Sequence, residues 1–336
     1  MAENARPIIA CVGAGRMGRG IAHCFAYAGY EVRLIDAKPR EDEAQKHYFD
    51  SLITEVRGSL DMVAGLGGFD AGAIGGILAR IALYPFDHAE EGLHGVEFVF
   101  EAVPETDATK RDGLALIDRY AGSGAVVAST TSTYLSTQLA DWSGRPETFL
   151  NAHWLNPAFI VPLVEISPTA ETLPSVVSRL SGLLEAIGKV PVVCKASPGY
   201  IVPRIQALAM NEAARLVEEG VASAEDIDKA VKYGFGFRSA VLGLLEFIDW
   251  GGGDILYHAS RYMTDATGDE RFAAPEIVRR NMAEGRNGLR DGRGFYDYEG
   301  ADLAAYRRDR LKDFLGQLVR SGLHRPPAEV AEGAAQ

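Results

Sequence analysis

His153 and Glu165 are the two residues whose types and spacing point most directly to proton chemistry. His153 ends an apolar run, Thr148–His153, just before Trp154-Leu155-Asn156-Pro157. Glu165 interrupts the next such run, Leu163-Val164-Glu165-Ile166. A carboxylate within an apolar strand is costly unless it is paired. A histidine partner would satisfy both groups. The carboxylate would fix the imidazole tautomer and stabilise the imidazolium formed when the ring takes a proton. Such a pair is suited to removing the proton of a hydroxyl group. Spacing alone leaves a second reading open, in which His153 is a satisfied core histidine and Glu165 a solvated edge residue. Ser129-Thr130-Thr131-Ser132-Thr133 closes another apolar run. Its hydroxyls could hold a substrate oxygen, or simply form a turn and helix cap.

A base that takes a hydroxyl proton completes an oxidation only if something else accepts a hydride. The N-terminal segment suggests what. Ile8-Ile9-Ala10-Cys11-Val12 runs directly into Gly13-Ala14-Gly15-Arg16-Met17-Gly18, and a helix-period segment follows. Gly13 suits the tight turn out of a strand. Gly15 lets backbone approach a pyrophosphate held at the helix start, and Gly18 allows close helix–strand packing. Asp36 ends the next apolar run and can accept hydrogen bonds from a ribose diol. Together these features form a dinucleotide fingerprint. Asp36 favours NAD over NADP because no arginine directly follows it, although Lys38 and Arg40 lie close by.

The elements that must position these residues alternate in type. Apolar, β-branched runs occur at Ile8–Val12, Glu31–Ile35, Ile81–Tyr84, Val96–Ala102, Ala125–Ser129, Thr148–His153, Leu163–Ile166 and Val190–Cys194. Helical patterns at Met17–Ala28, Glu41–Met62, Lys110–Ala121 and Pro174–Ile187 lie between them. The expectation is an α/β fold with a doubly wound, mostly parallel Rossmann sheet. Lys38 to Gly95 is long for one crossover and suggests a helical excursion with a glycine-rich tip at Gly65-Leu66-Gly67-Gly68. After Ser197-Pro198-Gly199 the patterns are helical only: Ile201–Glu219, Ala224–Tyr233, Ala240–Thr267, Pro275–Glu284 and Leu303–Ser321. Gly220 suits a C-cap, and Ser223 with Asp226 suits a capping box. The domains are therefore expected at 1–196 and, all-helical, at 197–322, with 323–336 a disordered tail.

Composition narrows the function classes. The 336 residues carry a net charge of −12, and 47% are hydrophobic. No basic cluster suggests nucleic acid or an anionic membrane as a partner, and no apolar run reaches the roughly 18 residues of a membrane span. The first strand begins too early to leave room for a signal peptide. Cys11, Cys24 and Cys194 fall on apolar elements and read as buried residues of a reducing, cytoplasmic compartment. No Cys/His spacing suggests a metal site.

The chain resembles the L-3-hydroxyacyl-CoA dehydrogenase family over nearly its whole length. The matching pieces, in order, are Gly13 to Gly18, Asp36, Glu101-Ala102-Val103-Pro104-Glu105, the Ser129–Thr133 run, His153-x-x-Asn156-Pro157, Leu163-Val164-Glu165, Ser197-Pro198-Gly199-Tyr200-Ile201-Val202 and Gly292-Arg293-Gly294-Phe295-Tyr296. The resemblance implies that His153 and Glu165 are the catalytic pair and Ser132 a substrate-side hydroxyl. It also implies cofactor contacts at Gly13, Gly15, Arg16, Met17, Gly18, Asp36, Glu105, Lys110, Ser132 and Asn156. A homodimer formed through the helical domain is implied as well.

Three departures bear on the substrate. Pro162 stands where the family usually has lysine, and Pro203 where it usually has a substrate-positioning asparagine. Arg238-Ser239-Ala240-Val241 replaces the Pro-Met-Gly-Pro usual in acyl-CoA members. An arginine there resembles the branch that includes λ-crystallin (L-gulonate 3-dehydrogenase) and L-carnitine dehydrogenase, which act on free 3-hydroxy acids. A guanidinium binds a carboxylate through two parallel hydrogen bonds, whereas a thioester needs no charge partner. The alternative for Arg238 is a solvent-facing residue at a helix start. The expected substrate is thus a small 3-hydroxy carboxylate. The alternatives are a short 3-hydroxyacyl-CoA and an NAD-binding structural protein without turnover.

Overall fold

The computed structural model describes residues 6–325 and 327. Eight strands alternate with helices through the first two thirds of the chain: β1 Ile9–Val12, β2 Val32–Ile35, β3 Ile81–Tyr84, β4 Phe98–Glu101, β5 Val126–Ser129, β6 Phe149–Trp154, β7 Leu163–Pro168 and β8 Val190–Val193. They form one sheet in the order β3-β2-β1-β4-β5-β6-β7-β8. Neighbouring strands are parallel throughout except for β6 and β7, which pair antiparallel. The order reverses between β1 and β4. That leaves a crevice at the carboxyl end of β1, the usual ligand position in such sheets.

Alternation along each strand builds two cores. Ile9, Cys11, Leu34 and Phe100 face one side with α1 (Arg16–Tyr27), α2 (Asp42–Gly65), α3 (Ile74–Leu78) and α7 (Pro174–Ala186). Ala10, Val12, Val99 and Val127 face the other, against α4 (Ala89–Leu93), α5 (Asp107–Tyr120) and α6 (Ser136–Ser143). Covered on both faces, the central strands read as continuous apolar runs. The edge strand β8 departs from this, because Val190 and Val193 are exposed. Cys194, just beyond it, is half-buried rather than buried as expected. The long excursion after Asp36 is α2, which ends at the expected glycine-rich tip.

The chain divides into two compact units, one up to Ala209 and one from Met210 on. The division falls inside α8 (Val202–Glu218), whose C-terminal part joins α9 (Ala224–Ala230), α10 (Gly236–Ser239), α11 (Leu244–Gly251), α12 (Gly253–Thr267), α13 (Glu276–Ala283) and α14 (Leu303–Arg320). The expected single helix over Ala240–Thr267 is two. Gly252 takes φ +110° and breaks the run, and Gly253 N–H donates to Asn287 O at 3.2 Å. Ser223 caps α9 by accepting from Asp226 N–H at 3.1 Å, as expected. The reciprocal half of the capping box is replaced by a bond from Ser223 Oγ to Asp226 Oδ2. No helix among the described residues is long and apolar enough to cross a membrane. Of the expected disordered tail, only 323–325 and 327 are described; the rest lies outside the described residues.

Candidate active site

The turn after β1 is shaped by two glycines. Gly13 has φ +100°, and a Cβ there would lie 2.6 Å from Ala102 O. A Cβ on Gly18 would overlap the Gly13 carbonyl, so α1 can reach the strand only with glycine here. Gly15 sits at the start of α1; among the described residues nothing lies within 4 Å of a would-be Cβ there, and no side chain caps that helix. The first turn of α1 holds no acidic residue. Its N–H groups and the positive end of its dipole are thus free for an anion. Gly13, Gly15 and Arg16 line a cleft of about 290 Å³ together with Asp36, Arg40 and Tyr48. A glycine cradle, an uncapped helix start and an acid at the next strand end fit a dinucleotide.

Asp36 is buried and already well engaged. Its Oδ1 accepts from Lys38 N–H at 3.2 Å, and its Oδ2 accepts from Arg40 Nε at 2.6 Å and Gln45 Nε2 at 3.3 Å. The Arg40 guanidinium lies 3.9 Å from the centroid of the Tyr48 ring.

Glu101, at the end of β4 and paired with Val12 of β1, is fully buried. It accepts from Lys110 Nζ at 3.1 and 3.0 Å, from Ser129 Oγ at 2.5 Å and from Val103 N–H at 2.9 Å. Lys110 thus meets the Glu101 carboxylate, with Glu105 Oε2 3.8 Å away. Glu105 in turn grips the hydroxyl-rich loop after β5. It accepts from Thr131 Oγ1 at 2.8 Å, Ser132 N–H at 2.9 Å and Thr133 Oγ1 at 3.2 Å. Glu105, Lys110 and Ser132 therefore belong to one network.

Antiparallel pairing sets His153 directly opposite Glu165. His153 Nδ1 lies 2.8 Å from Glu165 Oε2. Glu165 is fully buried, and its Oε1 accepts from Ile201 N–H at 2.9 Å and Val202 N–H at 2.8 Å. With both oxygens of a carboxylate acting as acceptors, the proton of a neutral imidazole belongs on Nδ1, and Nε2 keeps its lone pair. Nε2 has no hydrogen bond among the described residues. Asn156 follows on the exposed segment that connects β6 to β7. Buried Lys189 holds this segment by donating to Ala158 O at 2.5 Å and Val161 O at 2.8 Å.

Comparison with known proteins places this arrangement. Residues 8–197 match the model of the 3-hydroxyacyl-CoA dehydrogenase NAD binding domain, and residues 199–298 match that of the same enzyme's C-terminal domain. The chain belongs to the 3-hydroxyacyl-CoA dehydrogenase family. It is 30% identical over 305 residues to 5-formyl-3-hydroxy-2-methylpyridine 4-carboxylate 5-dehydrogenase of Mesorhizobium japonicum, covering 90% of this chain and 94% of that one. To the lambda-crystallin homolog of Bos taurus it is 33% identical over 76% of this chain and 77% of that one. The crystal structure of a 3-hydroxyacyl-CoA dehydrogenase from Archaeoglobus fulgidus is similar with a TM-score of 0.73 and 30% identity, covering 95% of this chain and all of that one. These matches make the protein an oxidoreductase with an NAD binding domain.

The C-terminal unit of this family member holds Arg238. It lies in α10 after a π-helical turn, Val231–Phe235. Its Nε donates to Gly234 O at 3.1 Å, and its guanidinium lies 4.7 Å from the centroid of the Phe247 ring. Its two terminal nitrogens make no hydrogen bond among the described residues. The Gly292–Tyr296 segment is held by buried Asp249, which accepts from Phe295 N–H and Tyr296 N–H, both at 2.9 Å. A Cβ on Gly294 would overlap that carboxylate.

Sequence reasoning passed over three residues of the N-terminal unit. Glu101 was visible only as part of a matching segment, although a carboxylate closing the run Phe98-Val99-Phe100 carries the same signal as Glu165. Arg40 reads in the sequence only as a nearby cation; it reaches Asp36 across the non-helical segment between β2 and α2, so no helical spacing marks the pair. Tyr200 gave no signal of its own. It stacks on His153 with centroids 4.8 Å apart and planes within 6°.

Proposed function

We propose that this protein is an NAD-dependent dehydrogenase that interconverts a secondary 3-hydroxyl and a 3-ketone, with a small free 3-hydroxy carboxylate as preferred substrate. The observation that supports this best is the His153–Glu165 pair. It is buried, at hydrogen-bond distance, and leaves only Nε2 available to a substrate. Bound NAD supplies the hydride acceptor. Nε2 takes the hydroxyl proton in oxidation and returns it in reduction. Glu165 holds the tautomer and lowers the cost of the imidazolium. Ser132 donates to the reacting oxygen. Gly13, Gly15, Arg16, Met17 and Gly18 receive the pyrophosphate, and Asp36 receives the ribose. Glu105 and Lys110 hold the loop that carries Ser132, and Asn156 orders the nicotinamide end. We take the NAD-binding domain as 1–196 and the helical domain as 197–322.

Arg238 is our choice for the carboxylate partner, because its terminal nitrogens are uncommitted within its own unit. The Mesorhizobium relative, by its name, also acts on a free carboxylate. The second reading, a short 3-hydroxyacyl-CoA, is favoured by the likeness to the Archaeoglobus enzyme. The exposed apolar residues of α8, among them Leu208 and Met210, support a homodimer through the helical domain, and we place the protein in the cytoplasm.

NAD reduction measured with a panel of 3-hydroxy acids and 3-hydroxyacyl-CoA thioesters tests the proposal. Turnover of free acids that falls at least tenfold in kcat/KM with Arg238→Met, one charge-assisted contact, is the expected result. Turnover of thioesters only, indifferent to Arg238→Met, selects the second reading. Saturable NAD binding without any turnover would leave a structural NAD-binding protein.

A further inference from the structure

We propose that Tyr200 is a positioning residue that locks the His153 imidazole and ties it to the loop carrying Ser132; this rests on the proton-transfer role given to His153 above. Four observations converge on this side chain. Its ring lies flat on the imidazole, with centroids 4.8 Å apart and planes within 6°. Its hydroxyl donates to Thr131 O at 3.0 Å and accepts from Asn151 Nδ2 at 2.9 Å. It is buried, and among the described residues it is the one non-glycine with positive φ, +46°. The next two residues, Ile201 and Val202, give their amides to Glu165 Oε1.

The left-handed backbone of Tyr200 follows from these contacts. L-residues avoid this region unless the surroundings over-determine it. Here one short segment must lay an aromatic ring on the face of His153 and, directly afterwards, point two N–H groups at the carboxylate paired with that histidine. Gly199, at φ +75°, begins the reversal that allows it. The Nδ1···Oε2 bond fixes where the edge of the imidazole lies but leaves the ring free to rock about that bond. A ring stacked on its face removes that freedom. The hydroxyl then ties the stack to Thr131, whose neighbour is Ser132. Burial pushes the phenol's pKa well above its ordinary value, so it stays protonated and can donate to Thr131 throughout the working range. Held this way, Nε2 and the Ser132 hydroxyl keep one relative placement, which two-point handling of a substrate oxygen requires.

Two variants separate the parts. Tyr200→Phe keeps the stack and drops the hydroxyl; Tyr200→Leu keeps bulk and drops the stack. In the Phe variant kcat should fall 3- to 10-fold. In the Leu variant it should fall at least tenfold, with KM for NAD changed less than twofold. A readout that needs no turnover accompanies these. In protein with ¹⁵N-labelled histidine, the Nδ1–H proton of His153, assigned by its loss in His153→Gln, should exchange slowly in wild type and in Tyr200→Phe. It should broaden or exchange faster in Tyr200→Leu. A Leu variant that loses less than tenfold in kcat, or loses it in proportion to KM for NAD, or keeps the wild-type exchange rate, overturns the proposal. Should the Leu variant not fold, an unchanged kcat in Tyr200→Phe overturns it. A wild type without turnover on any substrate counts against the function proposed above, and the exchange comparison still decides the role of Tyr200.

Discussion

Glu165→Gln is the most informative single substitution, because the structure dictates how a nearly isosteric amide must sit. Glu165 Oε1 is bound by two backbone N–H groups, from Ile201 and Val202. Only the amide oxygen of Gln can accept them, so its NH₂ must face His153. The imidazole Nδ1 then becomes an acceptor and its proton moves to Nε2, where the base lone pair should be. Two losses combine. The charge-assisted bond that supports the imidazolium is worth about 1.5–3 kcal/mol. Returning the ring to its productive tautomer against a donating amide breaks a further hydrogen bond, worth about 1 kcal/mol. The sum, about 2.5–4 kcal/mol, corresponds to a fall in kcat of roughly 70- to 900-fold. Because the backbone donors stay satisfied, melting temperature should change little and KM for NAD should hold. Steady-state kinetics with a responsive 3-hydroxy acid, alongside thermal denaturation, measures both. A folded Glu165→Gln protein within tenfold of wild-type kcat would refute the tautomer argument and with it the assignment of His153 as base.

Lys110→Met removes the cation from a fully buried pair and leaves Glu101 charged and uncompensated, so it should destabilise the fold by about 3–5 kcal/mol. Adding Glu101→Gln should restore much of that loss in urea unfolding; no recovery would mean the pair is not the source. His23, buried against Phe159 and near Lys189, has its pKa lowered by desolvation first and by that lysine second, from 6.5 to about 4. Between those pH values the unfolded chain binds more protons than the folded one, so stability should fall as pH drops from about 6.5 to 4, by at most about 3 kcal/mol. His23→Phe should flatten that part of the curve; an unchanged slope would assign it to other groups. Gly18→Ala must push α1 off the Gly13 carbonyl and should weaken NAD binding at least tenfold, a loss of about 1.4 kcal/mol or more, by calorimetry. Unaltered affinity would show that the cleft at this helix start is not the cofactor's.

All eight strands were legible because each is short and apolar, and the central ones also because strands covered on both faces cannot hide a polar side. The same rule exposed Glu165, since a carboxylate in such a run needs a reason. Where glycine governs the path, the pattern was weaker. Ala240–Thr267 reads as one helix by periodicity, yet its α11–α12 break is set by Gly252 at φ +110° and by a bond from Gly253 to Asn287, far along the chain. Periodicity registers which face is apolar; it does not register a tertiary acceptor that makes the break favourable.

The site was legible in its charged residues and obscure in what holds them. His153 and Asp36 stand out because a titratable group closing an apolar run has few structural uses, and Glu165 because it interrupts one, whereas Glu105 is marked only by the family resemblance. Their fixings do not stand out. Two of the bonds to Glu165 come from the main chain of Ile201 and Val202, which any non-proline residue would supply. The restraint on His153 comes from a tyrosine whose ring reads as ordinary core. Lys110, expected at the cofactor, turns its ammonium onto Glu101, a contact that depends on β4 and the first turn of α5 lying side by side. What holds these groups thus consists of backbone amides, an aromatic face and one buried ion pair. The amides and the aromatic face depend on three-dimensional proximity rather than residue type and leave no mark in a linear pattern; of the ion pair, the pattern marks Glu101 but not its partner Lys110. Substitutions at these supports should act on the rate through His153 and Ser132, while leaving the residues that touch substrate and cofactor chemically unchanged.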